Sequence, residues 1–403
     1  MPFRDAWLLV GPFLVLLGFA ASAPALSGLG FVVIVLGAVS RYWGRHLFDG
    51  VSFRRRLRER RLFAGEATEL EVELENRKLL PLPWFEWRLA VSEQVQVVGE
   101  RLANAASPGL NLLTRRGSLG WYERQRWRFT LRSEQRGYHQ VGPGRIAAAE
   151  LFGLFPGVRE DERRDRVVVY PRLLSLPELG YPAARVLGDW RGRQVLFEDP
   201  LRFVGLREYQ PTDPLRRIDW KASARLGFLT SRVYEPSATP HLYLLLNVDT
   251  LPHSWEGYLV DELEWTISVA ASIAHWAAER GFAVGLLANG SFPDADRPIR
   301  LPPARSPDQL TRILEALAMV QPLTLQELAT VVRRESGRWP MGATVVLIAS
   351  LVPPELAEEV WRLREEGHAV AAIATSERVD REALVPLPVT FLPLGSRPVG
   401  VGP

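Results

Sequence analysis

The chain has 403 residues, with 49 basic and 46 acidic side chains for a net charge of +3, and it has no cysteine. That length accommodates two or three domains, and so small a basic excess gives no reason to expect nucleic acid as a partner. The missing thiols exclude disulfides, cysteine nucleophiles and cysteine-ligated zinc.

From Ala6 to Ser40 no residue is charged. A helix crossing a membrane needs about 20 apolar residues, and "SAPALSG" at 22–28 interrupts this run with turn-formers. The pattern predicts a transmembrane helical hairpin within residues 1–50, with spans near 6–22 and 26–43. Trp7, Tyr42 and Trp43 fall where an interfacial aromatic belt belongs. The rival reading is a cleaved signal peptide, because "ASA" at 21–23 resembles a cleavage site. Against it, Pro24 would follow the cut and the second apolar segment would still need a membrane. Arg41, Arg45, Arg54, Arg55, Arg56, Arg58, Arg60 and Arg61 flank the second span. The positive-inside rule then predicts a multi-pass plasma-membrane protein whose soluble domains are cytoplasmic.

Residues 51–172 read as strands. "EATELEVELEN" alternates apolar and acidic positions through Leu70, Val72 and Leu74, and "RQRWRFTLR" does so through Trp127, Phe129 and Leu131. That period belongs to half-buried strands, and the turn-rich spacing predicts a β-sandwich. "RGYHQVGPG" at 136–144 reads as turn-rich and "ELFGLFPG" at 150–157 as an apolar loop; either could be a binding surface, and a loop that plugs the core is the preferred expectation.

Residues 173–235 form a connecting segment built as strand, helix and strand. From 236 to 403 the rhythm alternates strands ("HLYLLLNVD", "FAVGLLANG", "ATVVLIAS", "HAVAAIATS") with amphipathic helices. This alternation predicts a parallel sheet covered on both faces, a doubly wound α/β domain.

The connecting segment carries "YQPTDPLRRIDWKASAR" at 209–225. Asp213 reads as an N-cap with Pro214 in the first helical position, and Gly227 as a left-handed stop. A helix from Pro214 to Arg225 would bury Leu215, Ile218 and Ala222 and pair Arg216 with Asp219 on its surface. Trp220 would pack against a flanking domain. Three roles fit this cluster: a clamp or docking network of Arg207, Arg216, Asp219 and Arg225; an anion site at the helix start; and an acid–base centre of Asp213 and Asp219. Arginines around an aspartate hold it ionised, which opposes the third role.

At these residues the chain resembles the domain-of-unknown-function 58 family of membrane-anchored bacterial proteins. "REYQPTDPLRRIDWKASAR" and "SRVYE" carry the resemblance, with the apolar hairpin, "RGYHQVGP", "FGLF" and "VVVYP" in the family's order. Where the family has Gly-Asp before the helix, this chain has Thr212-Asp213. The matching signature positions are Arg207, Tyr209, Asp213, Arg216, Ile218, Asp219, Trp220, Ser223 and Arg225. The resemblance implies a von Willebrand factor A-like carboxy-terminal domain and a MoxR-type AAA+ ATPase as partner, in assembly of envelope or other protein complexes.

No G-x-x-x-x-G-K-[ST] loop, H-E-x-x-H pair or G-x-S-x-G elbow is present. Domains like von Willebrand factor A often hold a divalent cation through an Asp-x-Ser-x-Ser loop, and oxygen-rich donor sets suit magnesium. Here Asn247 stands for the aspartate, Asp249 for the first serine and Leu251 for the second; Thr250, Thr324 and Ser350 lie at neighbouring candidate positions. The expectation is a degenerate site with no metal, the residual possibility being magnesium on Asn247, Asp249 and Thr250. The function expected is a non-enzymatic membrane adaptor. The alternatives are an envelope-associated enzyme centred on Asp213, Arg216 and Asp219, and a cation-dependent ligand-binding module.

Overall fold

The uncharged amino-terminal stretch folds into two helices, α1 (Trp7–Ala20) and α2 (Pro24–Arg45), joined by a turn in which Ser22 adopts a φ of 51°. The computed structural model describes residues 7–175, 198–210, 218–236, 241–292, 295–324, 326–340 and 342–395. These fall into two units, Met1–Tyr170 and Pro171–Pro403.

Glycines make the helix–helix seam. Gly11 and Gly18 of α1 and Gly30 and Gly37 of α2 are buried, and a Cβ on Gly30 would lie 2.7 Å from the backbone of Gly11 and Val15. Small residues let two helix backbones approach this closely. The large side chains Leu9, Phe13, Leu16, Phe19, Phe31 and Val32 are exposed instead. α2, with 22 residues, is about 33 Å long and matches a hydrocarbon core of about 30 Å. α1, with 14, reaches only about 21 Å. Among the described residues, α2 is the one helix long and apolar enough to cross a membrane; the expected first span of 6–22 is shorter than a span requires.

The rest of the first unit is two sheets. One has the order β1 (Val51–Leu57), β3 (Ala67–Asn76), β8 (Arg124–Arg132), β5 (Gln96–Val97). The other runs β2 (Arg61–Phe63), β11 (Asp165–Tyr170), β9 (Gly137–Ala149), β4 (Leu82–Ser92), β7 (Leu110–Leu119), β6 (Ala103–Asn104), with β10 (Gly157–Asp161) paired to β9. Their inner faces share one core. Trp87 of β4 sits at its centre, edge-on to Trp127 at 5.6 Å and to Phe129 at 5.9 Å, both on β8. Residues 136–144, read as turn-rich, belong largely to β9, whose His139 and Val141 are buried.

The outer face of β3 is acidic and lies between two arginine-rich strands. Glu71, Glu73 and Glu75 stand opposite Arg128, Arg126 and Arg124 on β8, and Glu73 and Glu71 stand opposite Arg54 and Arg56 on β1. Part of the arginine run read as a topology signal thus has a place in the fold, which leaves Arg41 and Arg45 to mark the end of α2.

In the second unit, β12 (Glu198–Glu208) pairs with β13 (Thr230–Pro236), and α3 (Trp220–Leu226) lies between them in sequence. The larger sheet has the order β16 (Ala295–Ala304), β15 (Ala283–Phe292), β14 (His241–Leu246), β18 (Thr344–Ala349), β19 (Ala369–Ala374), β20 (Val389–Phe391), with β17 (Gln321–Thr324) also on β15. From β15 to β20 the pairings are parallel; β16 and β17 join antiparallel. Four helices follow the strands: α4 (Val260–Glu279), α5 (Gln309–Met319), α6 (Leu328–Ser336) and α7 (Pro354–Glu365). α6 and α7 cover the face bearing Tyr243, Leu245, Val345 and Leu347. Leu244, Leu246, Val346 and Ile348 point to the other face; all four are buried, and α4 contacts β14, β15 and β18.

Hydrogen bonds from Arg77 and Arg124 hold the Glu75 carboxyl down at about 2, against an ordinary 4.5. A depressed carboxylate lends stability above its unfolded value and loses it as pH falls through the folded one. Glu75→Gln is therefore expected to remove part of the acid-side loss between pH 4.5 and 2. Parent and variant thermal unfolding, compared across that range, will check it; parallel curves contradict the role of Glu75.

Candidate functional site

The signature segment folds differently from its helical pattern. Ile218 forms an antiparallel bridge to Ser231, and the Asp219 N–H donates to the Thr230 carbonyl at 2.9 Å. The chain is thus held extended to Asp219, which becomes the N-cap: its Oδ1 accepts from the Ala222 N–H at 2.9 Å. Asp213, Pro214 and Arg216 lie outside the described residues. The expected mid-helix position of Ile218 and Asp219 is corrected by this pairing with β13. Gly227 closes the helix with a φ of 78°, as its position predicted.

Ser223 links α3 to β13. Its Oγ donates to the Asp219 carbonyl at 2.7 Å and accepts from the Thr230 N–H at 2.9 Å. Tyr209 N–H donates to the Leu229 carbonyl, and the Arg207 guanidinium donates to the Glu208 carbonyl at 3.3 Å. Trp220 is 67% exposed rather than packed away, because the cap turns the first residue of α3 outward. Arg225 lies in the last turn of α3 and is exposed.

A second cluster lies at the carboxyl ends of the parallel strands. β14 and β15 pair Leu246 with Ala288, so the next residues, Asn247 and Asn289, come to the same edge. Asn289 Nδ2 donates to Asn247 Oδ1 at 2.8 Å and to Asp249 Oδ2 at 2.7 Å, while its Oδ1 accepts from the Val248 N–H. Thr324 Oγ1 donates to Asp249 Oδ1, and Ser350 Oγ donates to the Asp249 carbonyl at 3.3 Å. Asn247 Nδ2 reaches the Leu351 carbonyl, and Thr250 Oγ1 accepts from the Leu259 N–H. Asn247, Thr324 and Ser350, picked out from sequence, do converge on Asp249, while Thr250 turns to the Leu259 N–H. Asn289 was missed, although "LLLN" and "LLAN" both place an asparagine just past the paired stretch of β14 and β15.

Burial raises the Asp249 carboxyl above its ordinary 3.8, against hydrogen bonds from Thr324 and Asn289 that lower it. Both oxygens of this carboxylate accept from protein donors. Among the described residues no group of three or more His, Asp or Glu side chains is placed to hold a metal ion. The rim around the cluster is apolar: Trp255 is 80% exposed, and Tyr258 and Leu323 are also exposed. Thr250 ties the Trp255 loop to the cluster, and Leu323 immediately precedes Thr324.

Residues 205–387 match the family described as "Protein of unknown function DUF58". The chain carries a DUF58 domain. The domain spans both the Asp219 and the Asp249 clusters. The chain is also similar to the "Uncharacterized protein YeaD" of Bacillus subtilis (strain 168), 22% identical over 330 residues, 81% of this chain and 76% of that protein. Among solved structures, the CARDB domain of PF1109 from Pyrococcus furiosus covers 30% of this chain and 86% of its own, at 15% identity and a TM-score of 0.20. Spo0M, a sporulation control protein of Bacillus subtilis, covers 40% and 58%, at 15% identity and a TM-score of 0.20. Scores of this size carry no argument about fold.

Two predictions follow from these contacts. Asp219→Ala removes an N-cap and is expected to cost about 0.5–2 kcal/mol, with Asp219→Asn restoring most of it. Denaturant unfolding distinguishes this from the larger loss of a buried ion pair, which is about 3–5 kcal/mol. Asp249, whose folded value is raised, lends stability that is full below 3.8 and is lost as pH rises through the folded value. Asp249→Asn keeps the shape without the titration, since Thr324 Oγ1 can accept where it donated. The variant is expected to gain on the parent as pH rises from 3.8 to neutrality; an unchanged difference contradicts the assignment.

Proposed function

We propose that this protein is a non-enzymatic, membrane-anchored adaptor. The observation that carries the reading is the inside-out packing of α1 on α2. Glycines fill the seam while Leu9, Phe13, Leu16, Phe19, Phe31 and Val32 face outward. A helical hairpin in water buries its large apolar residues; this one offers them to a surrounding hydrocarbon. In this reading α1 and α2 form a hairpin embedded in the plasma membrane. The positive-inside rule, applied to Arg41 and Arg45, supports a cytoplasmic body within this reading.

We infer further that the larger sheet of the second unit is a doubly wound, von Willebrand factor A-like domain used for protein contact. Its parallel order and the Asp249 cluster at the strand ends support this, since open α/β sheets bind partners at that edge. The donor set does not suit magnesium. It offers one carboxylate, already engaged at both oxygens, an amide in place of the first aspartate, and an apolar Leu251, where a hard cation takes charged oxygens. We propose that the cluster is a structural substitute for the cation, holding the rim of Trp255, Tyr258 and Leu323 in place. Exposed aromatics beside rigid polar support are what a protein interface requires. The resemblance to the family points to a MoxR-type AAA+ ATPase as the partner. Asp219, which the enzyme reading needs as acid or base, serves as a helix cap.

Affinity capture of the full chain from detergent-solubilised membranes, followed by mass spectrometry, tests this. An AAA+ ATPase is expected with the parent and is expected to be lost with Trp255→Ala combined with Leu323→Ala. Its absence with the parent, or its retention with the variant, overturns the docking assignment.

A further inference from the structure

Three loops of the first unit close around the carboxyl end of α2. In the first, Lys78 Nζ donates to the carbonyls of His46 and Leu47, and Pro81 accepts from Trp43 Nε1 at 3.1 Å. The second, at 120–123, is tied to the first by Tyr122 N–H donating to the Lys78 carbonyl and by Asn76 Nδ2, which bridges the carbonyls of Leu80 and Gly120. The third, at 150–156, seats Phe155 on Gly44, where a Cβ would lie 2.5 Å from the phenylalanine Cβ. Just beyond it, Gly157 faces Leu47 and Phe48.

All three loops present large apolar side chains outward. Leu79, Trp121, Tyr122, Leu151, Phe152 and Leu154 are each at least 47% exposed. The third loop was expected to plug the core, yet Leu151, Phe152 and Leu154 are exposed. What is buried is Glu150, whose carboxylate accepts the N–H groups of Phe152, Gly153, Leu154 and Phe155. An ionisable group taken out of water to hold a loop with its phenylalanine and leucines outward indicates that this surface is covered by something apolar.

The helix supplies a ruler. The only charged residues of α2 are Arg41 and Arg45, so the edge of a hydrocarbon layer crossed by α2 falls between Ser40 and Arg45. Loops seated against Gly44, Leu47 and Phe48 therefore lie at headgroup depth, where Trp and Tyr are favoured because one end of each ring is apolar and the other wet. We propose that these three loops rest in the headgroup layer of the bilayer that α2 crosses, so that a lipid surface covers the patch. This rests on the membrane reading of α1 and α2.

The chain has no cysteine, so Val32→Cys, Trp121→Cys, Phe152→Cys and Val98→Cys each give a single attachment point. Val98 N–H bonds to Thr130, about 20 Å along β8 from the second loop at the rise of a strand. Each full-length variant would carry an environment-sensitive fluorophore in vesicles of phosphatidylethanolamine and phosphatidylglycerol, after circular dichroism confirms the parent fold. The expected result is strong quenching by lipid-borne nitroxides at Val32, Trp121 and Phe152, and several-fold weaker quenching at Val98, which iodide in the water reaches instead. If Val32 is lipid-quenched while Trp121 and Phe152 respond like Val98, the proposal is overturned and the membrane reading stands. If iodide reaches Val32 as well, the membrane reading fails and the proposal falls with it.

Discussion

One ammonium group holds the apolar helix to the sheets. Just past the last residue of α2, Lys78 Nζ donates to the carbonyls of His46, the C-cap, and of Leu47. Burial lowers the Lys78 value, with Asp49 opposing, so the group works where water is partly excluded and each bond is stronger for it. Only Lys78 and Lys221 are lysines in a chain otherwise furnished with arginine. A compact ammonium reaches converging carbonyls that a planar guanidinium does not fit. From this contact follow the positions of Leu79, of the 120–123 turn and of β4, whose Trp87 anchors the core of both sheets.

The same economy governs the two polar clusters of the second unit. Asp219 and Asp249 are short acidic side chains in sequence surroundings that suggest chemistry, and each is used to satisfy donors. Asp219 takes an N–H at the start of α3; Asp249 takes a hydroxyl and an amide from strands β17 and β15. A carboxylate whose lone pairs are engaged in this way is a fixed part of the frame. In the docking reading proposed above, the surface ready to bind is the exposed rim of Trp255, Tyr258 and Leu323 that this frame supports.

Patterns of short period were legible in the sequence. The alternation in "EATELEVELEN" became β3 with its buried Leu70, Val72 and Leu74, and "HLYLLL" became a buried strand at its stated place. What failed depended on pairing between distant residues. Ile218 and Asp219 have the spacing of mid-helix residues, but the bridge from Ile218 to Ser231 makes Asp219 the N-cap of α3, and a propensity rule does not see β13. The apolar loop at 150–157 looked like core for a related reason: composition records that Phe152 and Leu154 are apolar and not which way Glu150 turns them.

The glycines of the amino-terminal hairpin show how far one observation can carry. In sequence, Gly11, Gly18, Gly30 and Gly37 are four small residues in an apolar run, and the run alone fits a signal peptide, a buried hairpin or a membrane anchor. The seven-residue spacing within each helix returns a glycine to the same face every second turn, and antiparallel packing sets Gly11 against Gly30, Gly18 against Ser27 and Gly37 against the Trp7 ring. The seam is filled by these glycines with Trp7, Val15 and Ile34, while Leu9, Phe13, Leu16, Phe19 and Phe31 are exposed. On the membrane reading proposed above, these exposed side chains of α1 and α2 ask for an apolar solvent. Because Lys78 and Phe155 fasten the sheets to the end of the same helix, any layer that meets this demand also meets the loops around Gly44.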